Sequence, residues 1–207
     1  DAGHSDTATG NVVIDTTAPI ATLDALTTND TTPMLTGTLD DPTAIITVTV
    51  NGIDYTATNN TDGTWTLADN TLPELTAGDV DVTVTVGDSA GNETSIDSVI
   101  TIDTTGLNVG LDALTTNDTT PALTGSIDDA TAIVLVTVDN IEYEATNNGD
   151  GTWILTDDTL PELGQGTVEV TVVASDDAGH SDTATGNVVI DTTAPTATVD
   201  ALTTNDT

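Results

Sequence analysis

Residues 45–58 read IITVTVNGIDYTAT. Two runs of alternating apolar and polar residues flank the pair Asn51-Gly52. Alternation with a period of two puts Ile46, Val48 and Val50 on one face and Thr47 and Thr49 on the other. Asn-Gly accepts positive φ at both central positions of a two-residue turn, so the stretch predicts an antiparallel hairpin. Further along, DVDVTVTV at 79–86 is a longer alternation, with Val80, Val82, Val84 and Val86 inward and Asp81, Thr83 and Thr85 outward. No segment sustains a 3.6-residue apolar period, and Thr and Val favour strands. The chain predicts as all-β.

The hairpin belongs to a repeat. DALTTNDTTP begins at Asp24 and again at Asp112, 88 residues on, and its first eight letters begin at Asp200 after the same interval. DAGHSDTATGNVVIDTTAP fills 1–19 and returns at 177–195, twice that distance. TNNTDGTW at 58–65 answers TNNGDGTW at 146–153, and TLPEL at 71–75 answers TLPEL at 159–163. The period exceeds the roughly 20–50 residues of a solenoid unit and suits a small sandwich domain. Cutting after the recurring Asp-Thr-Thr phrase leaves two whole copies, 20–107 and 108–195. Residues 1–19 are then the tail of a preceding repeat and 196–207 the head of a following one. Each orphan end is expected to be extended and poorly ordered, or paired with a neighbouring chain.

Within 20–107 the strand signals run ATLDAL, PMLTGTL, IITVTV, IDYTAT, TWTLA, DVDVTVTV and SIDSVITID. Seven short strands between polar turns predict an immunoglobulin-like β-sandwich, here in tandem. Trp65 and Trp153 fall on the fifth strand and are expected in the core with Tyr55 and Tyr143. The leucines of DNTLPEL are expected to plug one end. The valines at 80, 82 and 84, and at 168, 170 and 172, are expected to be buried.

The chain holds 35 acidic residues, no Lys, no Arg and no Cys, for a net charge of −35. Nucleic acid and anionic membrane surfaces both require cations that are missing here. Nothing approaches a run of about 20 apolar residues that would span a bilayer, and disulfides play no part. Hydrophobic residues make up 36% and fall in alternating runs, which argues for a folded chain despite the charge.

A seven-strand sandwich sorts its loops to two ends. The first end of the second copy receives Asp128 and Asp129, then Asp150, then Asp176 and Asp177. The other end of the first copy receives Asn29, Asp30 and Asp69, with Asp103 on the linker. Two carboxylates about 4 Å apart repel by roughly 4 kcal/mol at an effective dielectric of 20. Protonation, splaying apart or a hard cation would relieve this. Calcium takes about six to eight oxygen ligands and fits Asp, Asn and Thr, whereas zinc would want Cys or His. The competing reading is that the acid serves solubility alone. Asp62 and Asp150 sit in NNTDG and NNGDG, which echo a calcium loop only faintly, since the first ligand would be Thr and the flanks are strands.

His4 and His180 share a repeat position held by Asn92 in the middle copy, so they read as exposed turn residues. No nucleophile, phosphate loop or paired acid in an aromatic cleft can be assembled, so the chain predicts as no enzyme. A carbohydrate-, receptor- or ice-binding module is the alternative, with four aromatics arguing against sugar.

VIDTTAP, DSAGN, DDAGH, NNGDGTW and TLPEL, about ninety residues apart, resemble the tandem bacterial Ig-like repeats of giant RTX and biofilm-associated surface adhesins. The resemblance covers the whole chain. It implies a secreted, cell-surface extender whose repeats are stiffened by calcium at their junctions. It implies calcium ligands at linker Asp15, Asp103 and Asp191, at loop pairs Asp40/Asp41 and Asp128/Asp129, and at Asp88, Asp176 and Asp177. Asp103 with Asp128, Asp129 and Asp176 or Asp177 is expected to bind at least one ion. The expected partners are neighbouring repeats of the same monomeric chain, with no small-molecule substrate. One departure stands out: the middle linker reads DTTGLN, with Gly106 and Leu107 where the outer two have Ala and Pro.

Overall fold

The computed structural model describes residues 6–201 and 203. The chain divides into two compact units, Asp1–Thr105 and Gly106–Thr207. Among the described residues there is no helix. The first unit contains β1 (Thr27–Thr28), β2 (Leu35–Thr38), β3 (Ile45–Val50), β4 (Ile53–Asn59), β5 (Thr64–Leu67), β6 (Gly78–Gly87) and β7 (Glu93–Ile102). The second contains β8 (Leu114–Thr116), β9 (Leu123–Ser126), β10 (Ile133–Val138), β11 (Ile141–Asn147), β12 (Thr152–Leu155), β13 (Gly166–Ser175) and β14 (Ser181–Ile190).

In the first unit the hydrogen-bonded order is β1-β7-β6-β3-β4-β5-β2, and the second unit repeats it as β8-β14-β13-β10-β11-β12-β9. Strand β4 serves both layers. It pairs with β3 from Ile53 to Ala57 and with β5 through Thr58 and Asn59. The sheet thus folds over on itself, and its inner faces share one core. Trp65, Leu35 and Leu67 come from one layer and Ile46, Val48, Val84 and Ile100 from the other. Each unit is an all-β sandwich of the expected immunoglobulin-like kind.

The β3–β4 turn is the two-residue turn expected, with φ of 52° at Asn51 and 75° at Gly52. In the second unit Asp139 and Asn140 make it without glycine, at φ 51° and 63°. Asp and Asn are the non-glycine residues that best tolerate this region. Alternation works as read: Val80, Val82, Val84 and Val86 are all buried. Leu72 and Leu75, like Leu160 and Leu163, close their core ends. The tryptophans are fully buried, and Tyr55 and Tyr143 are half-buried against the cores.

Each tryptophan latches the first segment of its unit onto the sandwich. The Trp65 indole N–H donates to the Thr22 carbonyl at 2.9 Å, and Trp153 donates to the Gly110 carbonyl at 2.8 Å. Gly37 lies opposite Trp65 in the β2–β5 ladder. A Cβ on Gly37 would stand 1.9 Å from the Thr22 oxygen and 2.7 Å from Trp65 Nε1. Only glycine admits the backbone and the ring together.

Two expectations need correction. The first strand is not a single run through ATLDAL. Residues 22 and 24 donate backbone N–H groups to Thr38 and Thr36 at 3.0 and 2.9 Å, and the segment then crosses to pair Thr27 and Thr28 in parallel with β7. One short segment therefore covers edges of both layers, and the TTNDTT phrase supplies strand as well as turn. Val168 is half-buried rather than buried. It lies near the start of β13, opposite Val188, where the sheet ends and less is packed over the valine. Residues 6–20 and 191–201 belong to no strand, and 6–17 are exposed. Residues 1–5, His4 among them, and 202 and 204–207 of the two expected orphan ends lie outside the described residues.

Replacing Gly37 by Ala should destabilise the first unit by about 2–4 kcal/mol, through overpacking and loss of the indole hydrogen bond. Gly164→Ala, with nothing within 4 Å of the added carbon, should change stability by under about 0.5 kcal/mol. Urea unfolding followed by tryptophan fluorescence measures both.

Candidate functional site

The Asp-Thr-Thr phrase is a turn device. Among the described residues, nine aspartates accept, through Oδ1, the backbone N–H of a threonine two residues on: Asp15, Asp30, Asp41, Asp62, Asp103, Asp118, Asp129, Asp150 and Asp191. Every one is an Asp-x-Thr sequence. The side chain replaces a backbone acceptor and bends the chain as a strand ends or a loop turns.

At the entrance end of the first unit these turns meet other carboxylates. Asp40 Oδ1 accepts the Ile20 N–H at 2.7 Å, and the Asp40 N–H donates back to the Ile20 carbonyl at 3.1 Å. Asp41 Oδ1 accepts the Thr43 N–H and hydroxyl. Asn59 Nδ2 donates to the Asp41 and Ala44 carbonyls, both at 3.1 Å, and holds that loop in place. Between β6 and β7, Asp88 Oδ1 accepts the N–H groups of Ala90 and Asn92. Asn92 Nδ2 donates to Asp88 Oδ2 at 2.8 Å and to the Asp15 carbonyl at 3.2 Å. One asparagine thereby joins the incoming linker to this loop. Chiefly the Asn92 amide, working against desolvation and helped by neighbouring N–H groups, holds the Asp88 carboxyl below its ordinary range. That contribution to stability is present above the unfolded pKa and is lost as pH falls through the folded one.

The second unit repeats the plan with changes. Asp128 Oδ1 accepts the Asn108 N–H at 2.8 Å, and Asp129 Oδ1 accepts the Thr131 N–H and hydroxyl at 2.7 Å each. Asp176 Oδ1 accepts the His180 N–H, and its Oδ2 lies 2.8 Å from His180 Nδ1. Desolvation pushes the Asp176 carboxyl up, but the His180 hydrogen bonds outweigh it and the net shift is downward. His180 is therefore not an exposed turn residue: it is half-buried and takes the donor role that Asn92 plays in the first unit. Asp177 is exposed. Asp182, which sequence reading passed over, accepts the Val109 N–H at 2.9 Å, and this bond holds its carboxyl low. Its first-unit counterpart is Thr94, so repetition gave no signal for it. Leu107, one period on from Pro19, packs against the second core.

Of the linker aspartates, Asp103 ends the first unit, half-buried, its N–H donating to the Thr28 carbonyl at 2.9 Å. Asp191 holds the same place in the second unit, its N–H donating to Thr116 at 2.8 Å. Asp103 and the group Asp128, Asp129, Asp176 and Asp177 belong to different units. Among the described residues, no three carboxylate or imidazole ligand atoms within one unit lie within 4.8 Å of one another. The donor chemistry nonetheless suits a hard cation. It is all oxygen, and the hydrogen bonds of Asp15, Asp40, Asp41, Asp128 and Asp129 occupy Oδ1, leaving Oδ2 available.

The opposite ends differ more between the copies. In the first unit Thr32 donates to Asp30 Oδ1 and to Asn70 Oδ1, while Asn70 Nδ2 donates to Asp69 Oδ2 at 2.7 Å. In the second, Thr120 donates likewise to Asp118 and Asp158, but Asp158 has no amide to offer Asp157. Desolvation, then the charges of Asp118 and Asp158, raises the Asp157 carboxyl above its ordinary range.

The bacterial Ig-like domain family matches residues 20–104 and 110–192. Among curated proteins, none matches the chain. Among solved structures, fibronectin(III)-like modules of Clostridium thermocellum CbhA align with 11% identity and a TM-score of 0.52, over 83% of this chain and 94% of theirs. A tetra-tandem repeat from the extending region of a large adhesion protein aligns with 24% identity and a TM-score of 0.39, over 84% of this chain and 49% of that one. A Ca2+-stabilized adhesin of an Antarctic bacterium that binds ice gives 18% and 0.35, over 85% and 50%. The chain thus spans about half the length of these two adhesin structures.

Asp158→Asn should raise the melting temperature of the second unit at neutral pH. It restores the amide that Asn70 provides and suits the left-handed backbone, φ 61° at Asp158 against 59° at Asn70. Because the folded Asp157 pKa is raised, its penalty is absent below the unfolded value and grows as pH rises through the folded one. The gain should therefore shrink below about pH 4, leaving only the backbone share, as thermal melts across pH will show.

Proposed function

We propose, from the premise that the chain belongs to the bacterial Ig-like domain family, that it is part of the extender of a bacterial cell-surface adhesin, stiffened by calcium where repeats join. The observation that supports this best is the entrance end of the first unit. There a linker aspartate, Asp15, is tied through Asn92 to Asp88, and Asp40 holds the end of the same linker at Ile20. The chain holds no lysine or arginine to offset these charges.

Calcium bound there would supply positive charge and a coordination shell of oxygens. Asp15 is on the linker, while Asp40, Asp41 and Asp88 are on loops of the sandwich. A cation drawing on both fixes the direction in which the linker enters, and the repeat carries the same residues to Asp103, Asp128, Asp129 and Asp176, and to Asp191. Two tandem sandwiches of one design suit a load-bearing spacer, since length is added by copying a unit. Immunoglobulin-like and fibronectin-like folds are generally non-catalytic, and function resides in sites placed on them. The role is mechanical, the partners are neighbouring repeats of the same monomeric chain, and the location is the outer cell surface. The giant RTX and biofilm-associated adhesins are the class this reading points to.

Calorimetric titration with calcium should show binding, and chelator should lower the melting temperature. At free calcium about 100 times the dissociation constant, each independent site adds about 2.7 kcal/mol. Amide relaxation at residues 15–20 and 103–108 should show order rising with calcium. The double change Asp15→Ala and Asp40→Ala should remove the effect at the first of these segments while leaving the β signal of both units. Relaxation and melting that ignore calcium and chelator alike would leave the acid with solubility as its only role.

A further inference from the structure

The sequence contains Asn-Gly at two places, Asn51-Gly52 and Asn148-Gly149. We propose that Asn51 is a site of spontaneous deamidation and that the fold protects Asn148 from the same reaction. The chemistry needs no enzyme and no oxidant. The Gly52 backbone nitrogen loses its proton and bonds to Asn51 Cγ, and the Cγ–Nδ2 bond breaks and releases ammonia. Water then opens the cyclic imide at either carbonyl, giving aspartate or isoaspartate at position 51. Glycine makes this attack easy because it has no Cβ to block the approach.

The structure separates the two sites by what holds the reacting groups. Asn51 is exposed at the tip of the β3–β4 hairpin. Among the described residues neither its side-chain amide nor the Gly52 N–H has a hydrogen-bond partner, so only brief opening of a two-residue turn stands before attack. Asn148 is also exposed, yet both reacting groups are engaged. Its Nδ2 donates to Thr152 Oγ1 at 2.9 Å, and the Gly149 N–H donates to Asn147 Oδ1 at 3.1 Å. A third bond, from the Asn148 N–H to the Thr152 carbonyl at 2.9 Å, closes the loop.

The second unit shows what the product does. Asp139 stands where Asn51 stands and makes the same turn at nearly the same φ. Aspartate at 51 therefore leaves the hairpin intact and adds one negative charge. Isoaspartate inserts a methylene into the backbone of a turn that closes the Val50–Ile53 pair, and it disrupts that hairpin.

The test is to warm the folded chain in mildly alkaline buffer and follow it by anion exchange and peptide mass spectrometry. A carboxylate-directed protease makes the peptides. The Asn51 peptide should gain about 1 Da, as labile asparagine does on hydrolysis. It should convert roughly tenfold faster than the Asn148 peptide, because two further hydrogen bonds must break at Asn148. In denaturant the two rates should converge. Asn51→Asp should abolish the gain at that peptide and leave the melting temperature unchanged. Equal native rates, faster conversion of Asn148, or an Asn51 that stays intact in the folded chain while both convert in denaturant would each overturn the proposal.

Discussion

Among the described residues, His180 beside Asp176 apart, the partners that carboxylates find are N–H and O–H dipoles, because there is no lysine or arginine to answer them. That constraint organises both units. An aspartate must sit where several N–H or O–H groups already converge, and the ends of strands are where unpaired N–H groups are found. The Asp-x-Thr turn is the minimal solution. It gives the carboxylate a backbone donor and gives the turn an acceptor. The sheet faces carry mostly threonine, which needs no counter-charge, with acids such as Asp81, Asp97 and Glu169 among them, and most of the acid lies in loops and linkers. The concentration of charge at the sandwich ends thus follows from the absence of cations before any metal is considered.

Much of the fold was legible because its signals are local. A period of two marks the strands, Asn-Gly marks the hairpin, and an exact interval marks the repeat. What escaped depends on depth or partner choice. Val168 continues the alternation of β13 as well as Val170 does, but alternation assigns a face and says nothing of distance from the sheet end. The first segment shifts between two layers because its hydrogen bonds answer Thr36 and Thr38 on one side and β7 on the other. No pattern in ATLDALTT announces that division. Loop positions of the aspartates could be sorted from strand order, whereas their hydrogen-bond partners could not. The roles of Asp182, which accepts the Val109 N–H, and of His180, which donates its N–H to Asp176, emerged only from the fold.

The two copies differ where the framework permits it. Gly37 and Gly125, Trp65 and Trp153, and the core valines of β6 and β13 keep their types or close relatives. Changes fall on the last strand, where β7 and β14 share only their final isoleucine, and on groups that hold linkers and loops. Asn92 becomes His180, Asn70 becomes Asp158, and Ala77 becomes Gln165, whose amide bonds the Thr192 and Thr193 hydroxyls at 2.7 Å. Each exchange leaves the sandwich intact and changes how a connection is held. The architecture thus separates a fixed interior from adjustable ends, so one unit can be copied and the joints varied.

The loops at the sandwich ends are long, polar and exposed, which in most proteins is where proteolytic nicking concentrates. Proteases of the trypsin type choose their bond by burying a basic side chain against an aspartate at the base of a pocket. This chain presents no such side chain, in any loop, linker or strand. Proteases that seek large aromatic residues fare little better, since the two tryptophans are fully buried and the two tyrosines half-buried. A composition that leaves the joints crowded with negative charge therefore also makes their exposed backbone unreadable to two of the commonest classes of secreted digestive enzyme.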